Sequence, residues 1–411
     1  MTTDPEAERF TQPNETMEYF ASDPSQEEGG HSATRAVRMT ATITSFPIGN
    51  ADSTRLTLAD GQRLLFDFAD MGKSDGSEIS FDLRAAIKDD LRADGKSQLA
   101  ILCFTHLDRD HCFHAEETFH WSHSPSRQTA DRVKYGELWV PAAAIMETEL
   151  ESTDAKIIQA EAQHRLIKGE GVKVFSSPKK LDDWLKRRNL TVESRQHCIV
   201  HAGSTLDGFT LGGSAKAEFF PHCPLSWTQD EDGEVNRNEH SIVLHVTFRE
   251  GGRDTRLLLG SDVDSDTLSE IVRSTKRHAN TERLEWDVLK LFHHCSYKAL
   301  NVNGKEDDPT RPVPDVKWLM EEQGQDRSII ISSSQKIPLP GTKEDNDQPP
   351  HRKAANYYKK LQNDRNGSFK VTMDDPKKPI KVEISSSGAS FLAAPALLPA
   401  SGAAAKPMRA G

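Results

Sequence analysis

A layered α/β sandwich is the architecture that the stretch from residue 38 to residue 386 predicts, on three observations. Alternating apolar segments near the start are joined by turn signals. Short, wholly apolar runs follow and end in ionisable residues. Helical stretches fall between them. Sheet-forming segments gathered in two groups, with helices available to cover them outside, describe two mixed sheets flanked by helices.

The first group opens with 39–46, 53–59 and 63–68, where apolar and polar residues alternate as in half-buried strands. Asp60-Gly61 is a tight hairpin turn, so this group is expected to be antiparallel. Residues 81–93 read as a helix and 99–104 as a fully buried strand. Strands are expected over 137–140 and 172–175, helices over about 151–168 and 179–188, and strand and turn over 197–220. The second group pairs 241–248 with 255–259, then runs through a helix at 264–277 and short buried strands at 287–292 and 328–332. A helix at 352–361 follows.

Both ends differ in composition. Residues 1–37 are acidic and polar without periodicity, which predicts a flexible arm that a protein partner could dock. Residues 387–411 are Ala/Pro-rich and read as a tail. The N-terminal stretch is too acidic for a secretory or transit peptide. No run approaches the roughly 18 apolar residues of a membrane span, so a soluble, cytoplasmic chain with no membrane part is expected. Five scattered cysteines without a C-x-x-C pair argue against a disulfide scaffold and a zinc ribbon, and fit a reducing compartment. The 63 acidic residues exceed the 52 basic ones, for a net charge of −11, so composition advertises no broad duplex-binding face. Lys179, Lys180, Lys186, Arg187 and Arg188 could line a cleft or form a solvated helix face.

The chemistry concentrates where the 99–104 strand ends. His106, Asp108, Asp110 and His111 fall within six residues. Imidazoles and carboxylates packed this densely can hold two divalent cations, and without a metal they would be costly to bury. An acidic surface loop is the competing reading. Two later apolar runs also end in candidate ligands: Asp262 follows 257–259, and His293 and His294 follow 287–292. Three such endings in one chain favour a site.

The run from His106 to His111 resembles the H-x-[HD]-x-D-H signature of metallo-β-lactamase-fold hydrolases. With Asp at its third position, it is similar to the branch containing the hydrolase domain of the competence DNA-uptake channel, the ComEC-like branch. Residues 49–53 resemble that branch's G-x-G-D-S turn, with Ala51 in place of a glycine. Residues 64–67 resemble its L-I-D strand, and 238–244 its N-x-x-S-L-V-L strand. Residues 259–262 resemble L-T-G-D, and 287–296 resemble D-V-L-K-V-x-H-H-G-S, with Cys295 in place of the glycine. Pro350-His351 resembles a late G-H-P. Cys112 and Phe113 replace the usual small residues after D-H, and 112–220 match poorly, which predicts an insertion governing substrate choice.

The resemblance implies a free-standing hydrolase with the metallo-β-lactamase αββα sandwich and two divalent metal ions, Zn or Mn. His106 and Asp108 would hold one ion, Asp110 and His111 the other, with Asp262 bridging and His294 completing the set. His293 and His351 are further metal candidates. Asp108 makes its half harder, favouring Mn²⁺ relative to an all-imidazole site. Asp110 and Asp262 would serve catalysis directly, through hydrolysis by a metal-held hydroxide. Asn238, Ser296 and Lys298 are candidate substrate contacts, or ordinary turn residues. A phosphodiesterase or nuclease acting on a nucleic acid or nucleotide is the first functional expectation. Hydrolysis of a small ester, lactone or thioester and metal-binding regulation without turnover remain open alternatives.

Overall fold

The computed structural model describes residues 40–73, 79–225, 237–342, 345 and 348–392. The arm expected over 1–37 lies outside the described residues, as does the tail from 393 onward.

Nine strands form the first sheet: β1 (Ala41–Ser45), β2 (Thr54–Thr57), β3 (Arg63–Phe66), β4 (Gln98–Cys103), β5 (Lys134–Pro141), β6 (Val172–Phe175), β7 (Ile199–Val200), β14 (Ile380–Ser385) and β15 (Gly388–Phe391). Their order is β15-β14-β1-β2-β3-β4-β5-β6-β7. The second sheet orders β13 (Ser368–Val371), β12 (Gly324–Ser332), β11 (Trp286–Lys290), β10 (Arg253–Leu259), β9 (Val243–Glu250) and β8 (Ala217–Cys223). Both sheets are mixed. Antiparallel pairing from β14 through β3 turns parallel from β3 to β7. In the second sheet β8–β10 are antiparallel and β10–β13 parallel.

Three buried apolar clusters show the layering. One lies between the sheets, where Leu56, Phe66 and Trp139 meet Phe219, Leu244 and Ile331. A second covers the outer face of the first sheet, joining Leu102 and Val140 to Ile87, Ile158 and Leu181 from three helices. The third covers the second sheet with Ile271, Leu319 and Tyr358. Alternation along each strand divides its side chains between the middle layer and an outer one. The arrangement is the helix–sheet–sheet–helix sandwich that the sequence predicts.

Two stretches differ from how their composition reads. Much of residues 112–220, which the sequence expects to hold an insertion, belongs to the sheet. They supply β5, β6 and β7, which continue the first sheet in parallel from β4, and they begin β8. Leu138, Trp139 and Val140 are fully buried, as an interior parallel strand requires. The tail also begins later than residue 387: Gly388–Phe391 pairs with β14 as an edge strand. Gly388 makes the turn at φ +102°, and Ala389 and Ser390 carry too little apolar surface to signal a strand.

Candidate metal centre

Five strand ends converge at one end of the sandwich. β3 delivers Asp67, β4 delivers Thr105 and His106, β10 delivers Ser261 and Asp262, β11 delivers His293 and His294, and β12 delivers Ser333. Parallel strands leave such crevices at their carboxyl ends, where the chain turns away. The β1–β2 loop adds Asp52. Its N–H donates to the Asp110 carbonyl at 2.9 Å, while the Phe68 N–H donates to the His111 carbonyl at 3.0 Å. These bonds seat the short helix Arg109–Cys112, which carries Asp110 and His111, on the first sheet.

Thr105 organises the hydrogen bonding beneath the site. Its N–H and hydroxyl both donate to Asp67, each at 2.7 Å. With that proton committed, the Thr105 oxygen accepts from the Ser261 hydroxyl at 2.8 Å and from His106 Nδ1 at 3.2 Å. His111 Nδ1 donates to Asp67 Oδ2 at 2.9 Å, and His294 Nδ1 donates to the Ser333 carbonyl at 2.8 Å. All three imidazoles thus have Nδ1 engaged and Nε2 turned inward.

Among the described residues, the inward atoms find no hydrogen-bond partner. Nε2 of His106, His111 and His294 and Oδ1 of Asp262 are buried and unsatisfied. His111 Nε2 lies 3.4 Å from Asp262 Oδ1, His294 Nε2 lies 3.4 Å from Asp262 Oδ2, and His294 Nε2 lies 3.3 Å from Asp110 Oδ2. Buried polar atoms are normally satisfied, so orphans gathered on His111, Asp262, His294 and Asp52 mark a place for a shared electrophile. The donor set, nitrogen and carboxylate oxygen, suits a divalent cation.

The electrostatics agree. Burial would lower the His111 and His294 pKa values, but the Asp262 charge, joined by Asp67 at His111 and Asp110 at His294, raises both well above the ordinary imidazole value. Burial would likewise raise the Asp262 and Asp110 carboxyls, yet the neighbouring imidazoles hold both below the ordinary range. His106 goes the other way, lowered by burial and by His111. The carboxylates demand positive charge; a proton on each imidazole is one way to supply it, and a cation is another.

Not every expected residue joins this group. Asp108 lies at its edge, with Oδ2 3.7 Å from His106 Nε2 and Oδ1 accepting from Arg237 at 2.8 Å. His293 is half-buried beside the cleft, its N–H on the Ser261 carbonyl. His351 stands away from the group: its ring packs on Tyr297 and its Nδ1 accepts the Tyr297 N–H at 3.4 Å. Burial, then nearby Lys305, lowers its pKa to about 4. Ser296 has a local task, accepting the Lys298 N–H at 3.2 Å to cap the turn Tyr297–Ala299, while Lys298 is exposed. The Asn238 carbonyl accepts from the Ser241 hydroxyl at 2.7 Å, closing a turn before β9.

Other residues matter that the sequence did not single out by chemistry. Asp52 lies within reach of His111, Asp262 and His294; its Oδ2 is held by the buried Lys290 ammonium, while its Oδ1 finds no partner among the described residues. Asp67 orients His111. Both acids sit in the resembling motifs, and that placement was the available signal. His293, His294 and Cys295 take positive φ in succession, at 47°, 50° and 65°. That left-handed turn, where the resembling motif carries a glycine, folds His294 back over the site.

A cleft of about 310 Å³ opens onto the centre, bordered by Asn50, Arg109, Asp110, His293, His294 and Gln348. Arg109 is exposed, with its guanidinium carbon 4.0 Å above the Phe113 ring and no carboxylate paired to it among the described residues.

No protein-family model and no curated protein sequence matches the chain. Among solved structures it is similar to a diphosphatase from the PhnP family, at 10% identity over 71% of this chain and 85% of that one, with a TM-score of 0.27. It is also similar to the class B3 di-zinc metallo-β-lactamase LRA-12 from an Alaskan soil metagenome, at 10% identity over 70% of this chain and 89% of the other, with a TM-score of 0.28. A third is BJP-1, a subclass B3 metallo-β-lactamase of Bradyrhizobium japonicum, at 14% identity over 77% and 86%, with a TM-score of 0.26. At such TM-scores the likeness carries no weight for function, which has to come from the chain's own residues.

Proposed function

We propose that this chain is a metal-dependent hydrolase of the metallo-β-lactamase kind that cleaves phosphodiesters. The observation that carries the reading is the set of buried atoms without a partner among the described residues, on His111, His294 and Asp262, which converge at the strand ends, with that of His106 beside them. His111, His294, Asp110 and Asp262 would hold one cation. His106 and Asp108, with a share in Asp262, would hold the second. The chemistry such ions supply when bound is acidification of water and neutralisation of charge on the scissile group.

The chain's own residues do the rest. Asp67 and the Ser333 carbonyl fix the His111 and His294 rings, so that each presents Nε2 without rearrangement. Asp110 reaches the cleft while ionised, placed to accept a hydrogen bond from an attacking water. Apolar walls behind the site, including Phe104 and Phe292, exclude water from the rear. Arg109 presents N–H donors at the cleft mouth that no carboxylate among the described residues pairs, with its plane held by Phe113. A planar guanidinium matches phosphate oxygens, which supports a phosphodiester ahead of a neutral ester or lactone.

The test is direct. Protein loaded with Mn²⁺ or Zn²⁺ is incubated with plasmid, single-stranded DNA, RNA and bis-p-nitrophenyl phosphate, beside lactone and thioester panels. Metal-dependent cleavage of a phosphodiester is the expected result. Turnover confined to lactones or thioesters would overturn the substrate class, and no metal-dependent turnover of any of them would overturn the hydrolase reading.

A further inference from the structure

Asp108 differs from every other member of the expected ligand set, because a cation from the chain itself already holds it. Arg237 Nη1 donates to Asp108 Oδ1 at 2.8 Å. From its other edge the same guanidinium grips Glu147, through Nε at 2.7 Å and through Nη2. The Glu147 side chain is 11% exposed and follows the buried helix Ala142–Met146, so the guanidinium is anchored from behind where it meets Asp108. Arginine stays charged at any working pH and cannot vacate by losing a proton.

The two halves of the centre are therefore supplied unequally. One half has two imidazoles, His111 and His294, with Asp110 and Asp262, neither of which pairs with a lysine or arginine among the described residues; Asp52, also within reach, keeps Oδ2 on Lys290 but leaves Oδ1 without a partner. The other has a single imidazole, His106, a share in Asp262, and a carboxylate whose charge is already offset. A cation held by Asp108 would have to share that ligand with a guanidinium, two like charges on one carboxylate.

We infer that Arg237 makes the centre unequal: the His111/His294 half takes its ion first, and the His106/Asp108 half is a weak second site that Arg237 opposes. The inference rests on the metal-dependent reading and deepens it. It gives the enzyme a second ion that loads only at higher metal concentration, set by a residue that lies outside the ligand set.

Calorimetric titration of the metal-stripped full chain with Mn²⁺ tests this without reference to activity. Two steps are expected, the second at least about tenfold weaker. Arg237→Gln should tighten the second step several-fold and leave the first in place, which also shows that the variant is folded. Arg237→Lys keeps the charge and loses the fork, and should tighten it less. Asp108→Asn should remove only the weak step, and His294→Ala the tight one. Equal steps in the wild type overturn the inference. So does a second step that is unchanged, weakened or lost in Arg237→Gln, because the guanidinium would then be supporting Asp108 as a ligand. Absence of any Mn²⁺ or Zn²⁺ binding by the wild type overturns the metal-dependent reading itself, a distinct outcome.

Discussion

Two clusters in this molecule bury imidazole against carboxylate, and they are finished in opposite ways. Around Glu161, every acceptor position is filled. Ser122 Oγ and Arg165 Nε donate to Oε1, each at 2.7 Å, while the His123 N–H and Nδ1 donate to Oε2 at 2.9 and 2.7 Å. Glu161 is wholly buried; three of its four bonds tie the helix Thr153–Lys168 to Ser122 and His123 in the preceding loop, and the fourth, from Arg165, stays within the helix. Around Asp262, the imidazoles are engaged only on the side away from the acid, and the inward side is bare. The same residue types therefore mean different things. A carboxylate with four donors is a fastening, and one ringed by unpartnered lone pairs is a receptacle.

That contrast can be broken by mutation, and the largest effect is expected at Asp262. Asp262→Ala should lower the turnover of loaded enzyme by about a thousandfold, since a metal site supplies several kcal/mol of transition-state stabilisation. Its melting temperature should also stop responding to Mn²⁺, whereas the wild type should rise by the linkage expected of a ligand that binds only the folded state. A full metal-induced shift in the variant would erase the distinction between the two clusters.

Glu161→Ala should do the reverse. Stranding His123 and Arg165 costs about 3–5 kcal/mol of stability, read by urea denaturation, with metal binding retained. Burial would raise the Glu161 carboxyl, but its bonds to His123, Arg165 and Ser122 hold it well below the ordinary value. A depressed folded pKa contributes stability that is present above the unfolded value of about 4.3 and is lost as pH falls below it. Wild-type stability should accordingly decline below about pH 4, and Glu161→Gln should show a flatter acid limb in the same assay.

Smaller effects sharpen the picture. Asp67→Asn leaves the ligands in place but loosens the His111 ring, and should weaken metal binding by about 10- to 100-fold. Arg109→Ala should change the least: KM for a phosphodiester rises by up to about fivefold, as for an exposed ion pair, with kcat nearly unchanged. An unaltered KM would remove Arg109 from substrate binding.

What the sequence disclosed was local. His106, Asp110 and His111 lie within one turn of chain beyond a buried strand, and Asp262 and His294 repeat that placement, so strand-end logic found them. The layers were equally legible, because two-residue alternation marks each half-buried strand. Long-range partnerships were not. Glu147 and Arg237 are 90 positions apart, and Asp52 and Lys290 are 238 apart, and nothing in either segment announces the other. His351 and Ser296 have local tasks that the sequence did not announce. His351 packs its ring on Tyr297, and the Ser296 hydroxyl caps the turn that follows it. The region from 112 to 220 read as foreign only because its motifs were unfamiliar; its apolar strands belong to the main sheet.

The pairing of β1 with β14 has a consequence for synthesis. Ala41 lies opposite Ile384, about 340 residues later in the chain. At about 5–20 residues per second, a ribosome needs roughly 20–70 s to deliver the partner. Throughout that interval the outer edge of β1 stands open to any other strand in reach. The strand leading to Asp52 is thus translated long before it can be enclosed, so nascent chains stalled before residue 380 should be aggregation-prone species in cells making this protein.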